Sequence, residues 1–405
     1  MKRGHLSEYF TGVAVKRLSA VEADVFRSHQ HEFNGVESLK RLFGEAGGRI
    51  QFEARFIYLC DNDEDLVASH GFLTWYDARE KHPTRSEHRL YFPANPAIDR
   101  AAEGDLLVLA RRSDDGVLVV IAEKDTTVAN QVQWLFGVND LTLPGFSIRE
   151  ELDTDRDRIA LTSRAILESI GVEARTPPDT HLDDMLRMFQ GKFPPTRAFS
   201  LYARNTLPEV DARDDPDSAV AAWMEQEEIL FRALERHLIE KYLAEGFAAD
   251  VERFLSFSKS VQNRRKSRAG HALENHLEEV FTRFQIRHSR NAITENNSRP
   301  DFIFPGSAEY HDPRFDQSEL TMLGVKSTCK DRWRQVLAEA DRIKLKHLFT
   351  LEAAISANQT AEMQAKSLQL VLPLSLHTTF LPKQQEWLLD LQEFLVLLRE
   401  RQSVA

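Results

Sequence analysis

Pro300 has no N–H to give to a ladder and suits the start of a strand, so Arg299-Pro300-Asp301-Phe302-Ile303-Phe304-Pro305 places an acid at the mouth of an apolar strand. A second apolar run, Met322 to Ser327, carries Lys326 near its end, where a charge is costly unless it has partners. An acid on one strand and a lysine on another can converge on one sheet edge. Glu339, on an expected helix with Trp333, Val336, Leu337 and Ala340, offers a further carboxylate. Paired carboxylates bind a hard divalent cation such as Mg2+, which lowers the pKa of a bound water and neutralises phosphate charge. A neighbouring ammonium orients that water and stabilises developing negative charge. The set suits phosphodiester hydrolysis. A P-D…K spacing also arises by chance, as a turn aspartate and a surface lysine, so its surroundings must decide.

Close behind Lys326 comes Lys330-Asp331-Arg332. A Lys or Arg donates to guanine O6 and N7 and an Asp accepts from cytosine N4, so this triplet can read adjacent G·C pairs. Taken alone it is a solvated helix start. The overall charge of −11 argues against indiscriminate binding to polyanions. Charge is segregated, however: eight acids and one base lie between Asn205 and Glu228, and five bases (Lys259, Arg264, Arg265, Lys266 and Arg268) with no acid between Lys259 and Arg268. The basic block is where a phosphate backbone can be met.

The elements that must position these groups follow from periodicity. At 405 residues the chain suits two to three domains, and its 42% apolar and 28% charged composition is that of a globular protein. Six β-prone runs (Gly12 to Val15, Gln51 to Leu59, Gly71 to Tyr76, Arg89 to Phe92, Asp105 to Ala110, Val117 to Ala122) predict a small barrel or sandwich, interrupted by a helix at Gly35 to Phe43. Partly helical sequence follows to about 190, and prolines at 177, 178, 194 and 195 mark a linker. From Ser218 the apolar period becomes helical, through Val220, Trp223, Met224, Phe231, Leu234, Leu238 and Tyr242; a second helix is expected from about His271. Short apolar runs at 301–304, 322–327, 347–351 and 369–374 then alternate with helical or loop segments, the α/β pattern. The expected organisation is a mainly β domain over 1–175, a linker over 176–200 and an α/β domain over 201–405. No membrane span or secretory signal is seen, and the two cysteines, Cys60 and Cys329, form neither a disulfide framework nor a zinc motif, so a cytoplasmic protein with free thiols is expected.

Several motifs in consecutive order, RRKSRAGHALENHLE, AITENNSRPDFIFP, AEYHDP, VKSTCKDRWRQVLAEAD and HLFTL, resemble the C-terminal catalytic domain of the EcoRII-like type II restriction endonucleases. The resemblance implies a PD-(D/E)XK nuclease fold, with a mixed central sheet flanked by helices. It makes Asp301 and Lys326 the metal-binding acid and catalytic lysine, Glu339 the displaced helix carboxylate that shares the metal, Glu274 an acid on the preceding helix, and Tyr310 a neighbour of the active site. It further implies that Lys330, Asp331 and Arg332 read a C-C/G-G half-site such as that of CCWGG, that Arg264, Arg265 and Arg268 touch bases or phosphates, and that central nucleotides are flipped into pockets, for which Trp223 and Tyr202 are candidates. SHQHEFNG and YDAREKHPTRSEHR resemble less closely the two DNA-clasping arms of the family's N-terminal effector pseudobarrel, so that His29, Arg85, Glu87 and Arg89 would contact DNA; His88 departs from the family's basic residue. The family relation also implies a homodimer through the C-terminal domain, double-stranded DNA as substrate, an effector domain that binds a second site and covers the catalytic cleft, and a cognate DNA methyltransferase as genetic rather than bound partner.

Two other readings stay open: a DNA-binding regulator whose nuclease-like half is inactive and only dimerises, and a structure-specific repair nuclease. His276 and His347 lie in apolar runs without zinc spacing and are expected in the core, and the five tryptophans are expected mostly in the core as well.

Overall fold

A computed structural model describes residues 4–24, 31–34, 37–45, 48–62, 66–82, 84–138, 141, 145–154, 156, 158–159, 161–173, 181–327, 329, 332–353 and 355–404. The chain divides into two compact units, Met1–Arg175 with Ala353–Ala357 and Thr378–Pro382, and Thr176–Glu352 with Asn358–His377 and Lys383–Ala405.

The first unit is built on β1 (Phe10–Arg17), β2 (Glu32–Asn34), β3 (Ile50–Leu59), β4 (Val67–Asp77), β5 (His88–Tyr91), β6 (Leu106–Arg112), β7 (Val117–Ala122) and β8 (Ser147–Arg149). They form one sheet in the order β2-β5-β4-β3-β7-β6-β1-β8, antiparallel except where β3 lies parallel to β7. Each of the six runs expected as strands is one. The helix expected at 35–43 is Glu37–Phe43, with residues 35 and 36 outside the described residues. Aromatic and branched side chains on one face, among them Phe33, Phe56, Trp75, Leu90, Phe92 and Val119, form the core. The helix Thr127–Phe136 was not expected, although its ends are written in the sequence: the Thr126 hydroxyl accepts from the Ala129 N–H and Gly137 closes it in a left-handed conformation.

The second unit begins inside the segment expected to be a linker. Residues 181 onward are packed structure: helix Leu182–Met188 and helix Thr196–Asn205 bury Met185 and Phe199 against Leu230, Phe231 and Leu234. The prolines at 194 and 195 separate two helices rather than two domains. The helix Pro216–Glu245 starts as expected, with Pro216 in its first turn and the Asp215 carboxylate accepting from the Ser218 N–H. Its partner is Val251–Arg283, beginning twenty residues before the expected start. Val251, Phe254 and Leu255 in its first turns are exposed, so no buried stripe announces that end.

The central sheet of this unit contains β9 (Ser289–Arg290), β10 (Phe302–Phe304), β11 (Thr321–Val325), β12 (Lys346–Phe349) and β13 (Leu368–Val371), in the order β13-β12-β11-β10-β9. β9, β10 and β11 run antiparallel, and β11, β12 and β13 parallel, so the sheet is mixed and helix-flanked as expected. His276 and His347 are both fully buried, as are Trp223 and Trp333.

The crossover from β11 to β12 carries the short helix Trp333–Val336, and Gly324 in β11 lets that helix lie directly on the sheet. A Cβ on Gly324 would stand 2.7 Å from Val336 Cγ2. Gly324→Ala is therefore expected to destabilise the protein by about 1–3 kcal/mol through overpacking. Urea unfolding checks this, and an unchanged midpoint would contradict the close approach.

Candidate active site

Register delivers the first two groups. β10 pairs with β11 so that Phe302 faces Leu323, which sets Asp301, one residue before, beside the end of β11. The Asp301 Oδ2 accepts a hydrogen bond from the Val325 N–H at 2.6 Å and from the Lys326 ammonium at 3.1 Å. Lys326 is 9% exposed, and its own N–H donates to the Phe349 carbonyl at 3.0 Å, continuing the β11–β12 ladder. A buried ammonium needs this partner: charge-assisted hydrogen bonding offsets part of its lost hydration.

Glu339 joins the pair, though not from a helix as expected. The helix ends at Val336, and Glu339 lies in the bend that follows, ahead of Ala340 with a left-handed φ of 50°. Burial, opposed by the positive Lys326 and reinforced by the negative Asp301, pushes the Glu339 carboxyl up to about 7. Its Oε2 is buried without a hydrogen-bond partner. Two carboxylates and an ammonium thus interact at one end of the sheet, and one carboxylate oxygen lacks a donor.

Among the described residues no group of three or more His, Cys, Asp or Glu is arranged to hold a metal ion. Mg2+ does not require one, because it keeps several waters and takes one or two carboxylates. The orphaned Glu339 oxygen and the Asp301 carboxylate are hard donors of that kind, so the residues present fit a divalent cation.

The remaining expected site residues separate into several environments. Glu274 is tied to Arg290, whose guanidinium meets it at 2.7 Å and Glu278 at 2.8 Å, with His271 at 3.6 Å on its other oxygen. Arg290 faces Phe302 across β9 and β10, so Glu274 reaches the strand of Asp301 through an ion pair. Tyr310 is buried, and its hydroxyl donates to Glu295, the burial and that acceptor together raising its pKa. Lys330 and Asp331 lie outside the described residues, and Arg332 is exposed.

The basic block corrects the expectation most strongly. Arg268 is 5% exposed and ion-paired with Glu227 at 3.4 Å and with Glu228, with its guanidinium 4.2 Å from the Phe231 ring centroid. Arg265 binds Glu235 at 2.6 Å and Arg264 stacks on Phe193 at 4.2 Å. The acidic and basic stretches, distant in sequence, are brought together on the paired long helices. Arg268 in this conformation is a core cation rather than a surface one. Trp223, a candidate for a nucleotide pocket, is fully buried with the Arg204 and Arg283 guanidinium groups over its ring, and Tyr202, the other candidate, is half-buried beside the Phe189 and Phe199 rings.

In the first unit, His29 lies outside the described residues and Arg85 is exposed. Glu87 and Arg89 belong to a surface chain in which Arg79 meets Glu87 at 2.6 Å, Glu87 meets Arg89 at 2.7 Å and Arg89 meets Glu32 at 2.8 Å. His88 is buried and stacked on Trp75, its ring 5.0 Å away, and so faces the core.

Residues 231–395 match the family model described as EcoRII C terminal. The chain is 44% identical over 184 residues to the Type II restriction enzyme EcoRII of Escherichia coli, an alignment that covers 45% of this chain and 44% of that enzyme. The resemblance expected from the C-terminal motifs is borne out over that region, while the matched region spans less than half of the relative's length. Among solved structures, the fold is similar to "Restriction endonuclease PspGI-substrate DNA complex", with a TM-score of 0.44 and 16% identity over 53% of this chain and 95% of that one. It is also similar to "Metal-depleted Ecl18kI in complex with uncleaved, modified DNA", with a TM-score of 0.45 and 17% identity over 57% and 86% of the two chains. No helix among the described residues is long and apolar enough to cross a membrane.

Sequence reasoning missed Arg290, Glu295 and Lys346. The signal for Lys346 was the one used for Lys326, a lysine bordering an apolar strand. The raised Glu339 carboxyl has a direct consequence for stability. Below about pH 4.5 it is protonated folded or unfolded and costs nothing; as pH rises toward 7 the unfolded chain ionises first and the native state loses stability. Glu339→Gln in chelator-treated buffer is expected to be more stable than the parent by ~2 kcal/mol at pH 8 and equal to it near pH 4.5. Urea unfolding at both pH values checks this, and a variant no more stable at pH 8 would contradict the buried, unsatisfied carboxyl.

Proposed function

We propose that this protein is a type II site-specific deoxyribonuclease of the PD-(D/E)XK fold that cuts double-stranded DNA with Mg2+ at a C-C/G-G-containing site such as CCWGG. The observation that carries the reading is the 3.1 Å contact of Lys326 with Asp301, with Glu339 interacting electrostatically with both. In this reading Asp301 and Glu339 would hold Mg2+, which when bound supplies a Lewis acid that lowers the pKa of water and neutralises phosphate charge. The Lys326 ammonium, aimed by Asp301, donates to the attacking water and to the phosphate oxygens as negative charge builds there. The Val325 N–H fixes the Asp301 carboxylate, so aspartate and lysine present a preset geometry to the scissile phosphate. Hydrolysis adds water across one backbone P–O bond.

Reading of the site falls to Lys330, Asp331 and Arg332, which follow Lys326 in the sequence, with exposed members of the basic helix meeting the backbone. A homodimer through the second unit supplies two active sites for a two-fold cut. The first unit acts as an effector domain, a pseudobarrel that binds a second copy of the site through the arms containing His29, Arg85, Glu87 and Arg89, and restrains the nuclease in its absence. A cognate methyltransferase protects the host DNA, and the protein works in the cytoplasm. The regulator reading is disfavoured by the joint presence of Asp301, Lys326 and Glu339.

The test is digestion of a plasmid with several CCWGG sites by the purified protein and Mg2+, with the ends sequenced. Discrete cuts at that sequence are expected, and Lys326→Ala is expected to lose cleavage by at least about 10²-fold while retaining specific binding. Cuts at another fixed sequence would overturn the specificity alone. No cutting, also after removal of residues 1–175, would overturn the nuclease.

A further inference from the structure

The Glu339 segment is not held by regular structure. Its helix has ended, Ala340 adopts a left-handed φ that costs a non-glycine residue about 1 kcal/mol, and no sheet hydrogen bond is made until Lys346. Such a conformation persists only where its surroundings over-determine it. Two sets of contacts do so here. From the sheet, Lys346, 8% exposed at the start of β12, points its ammonium at the main chain of this bend and donates to the carbonyls of Glu339 and Ala340, the second at 3.2 Å. One residue further along the bend, the Glu295 carboxylate accepts from the Asp341 N–H at 3.2 Å and from the Tyr310 hydroxyl. Arg342 donates to the carbonyls of Tyr310, Asp312 and Phe315.

Burying an ammonium with no carboxylate in hydrogen-bond contact is expensive, and two carbonyl groups are modest return for stability alone. What the arrangement does fix is the backbone of the one of the two carboxylates that adjoins no strand. Asp301 and Lys326 each adjoin a strand end of fixed register; Glu339 has no such support.

We propose that Lys346 is a positioning residue of the active site, which clamps the main chain of Glu339 and Ala340 so that the Glu339 carboxylate stands ready beside Asp301 and Lys326, while Glu295, Tyr310 and Arg342 brace the next residues of the same bend. Tyr310 thereby acts on the site through the backbone and not on the substrate. The inference rests on the proposed metal-dependent reaction, in which Asp301 and Glu339 share the cation. Loss of a residue that orients a metal ligand typically weakens metal binding 10–100-fold.

The experiment measures the Mg2+ concentration giving half-maximal cleavage of CCWGG DNA, and separately the Mg2+-induced rise in melting temperature of the DNA-free protein, for the parent, Lys346→Met and Lys346→Arg. Lys346→Met is expected to need about tenfold more Mg2+ in both assays with KM for DNA unchanged, and Lys346→Arg to return toward the parent. A merely structural lysine would lower the folded fraction without moving the Mg2+ midpoint. Should Lys346→Met not fold, Arg342→Gln, which loosens the same bend through a different set of hydrogen bonds, is expected to show the same displacement. Unchanged Mg2+ midpoints in variants that fold would overturn the positioning role and leave the nuclease reading intact. A parent protein that neither cuts nor responds to Mg2+ would overturn both.

Discussion

The contact on which the candidate site depends is the one between Asp301 and Lys326. An ammonium with 9% exposure at the end of a fully buried strand is stable only beside an anion, and the anion is supplied by the neighbouring strand in fixed register. The same Asp301 oxygen takes the Val325 N–H, so the carboxylate is held by backbone as well as by charge. Glu339 then sits near a pair whose charges oppose one another in their effect on it, and burial decides the outcome in favour of a raised pKa. In the proposed reaction a divalent cation beside the two carboxylates would reverse that balance.

A second constraint is charge complementarity between the two long helices. Glu227, Glu228 and Glu235 of Pro216–Glu245 are matched by Arg265 and Arg268 of Val251–Arg283, and buried His276 lies 3.0 Å from Glu227. Within a low-dielectric contact, removing one partner strands the other, so these pairs fix the helices' register even where their net contribution to stability is small. The blocks of opposite charge in the sequence are therefore partly an internal pairing device. What remains open to a polyanion on the second helix is its exposed side, where Lys259 and Lys266 lie.

Much of this was legible beforehand because the strands carry strong local signals. The six β runs of the first half and the four apolar runs of the second are short, branched and bounded by turn residues, and all are strands. Asp301 and Lys326 were legible for the same reason, since an acid before a strand and a lysine near the end of one are visible in one dimension. Glu339 was found while its setting was misjudged: helical spacing of Trp333, Val336, Leu337 and Ala340 gives no hint that the chain turns left-handed at Ala340. Arg268 was misjudged because a run of basic residues looks alike whether it faces water or acids some forty residues away. The helical sequence up to about 190 was legible, but a linker was placed over 176–200 because its prolines outweighed the buried spacing of Leu182, Met185, Leu186 and Phe189.

In the proposed enzyme Asp301 and Glu339 together form a divalent-cation site served by Lys326. Calorimetric titration of Mg2+ into the protein tests it most directly, with Asp301→Asn and Glu339→Gln beside the parent. Saturable binding by the parent that each substitution weakens by about tenfold or more is the expected result. Binding that survives both substitutions unchanged, or a parent that takes up no Mg2+ with or without DNA, would contradict it.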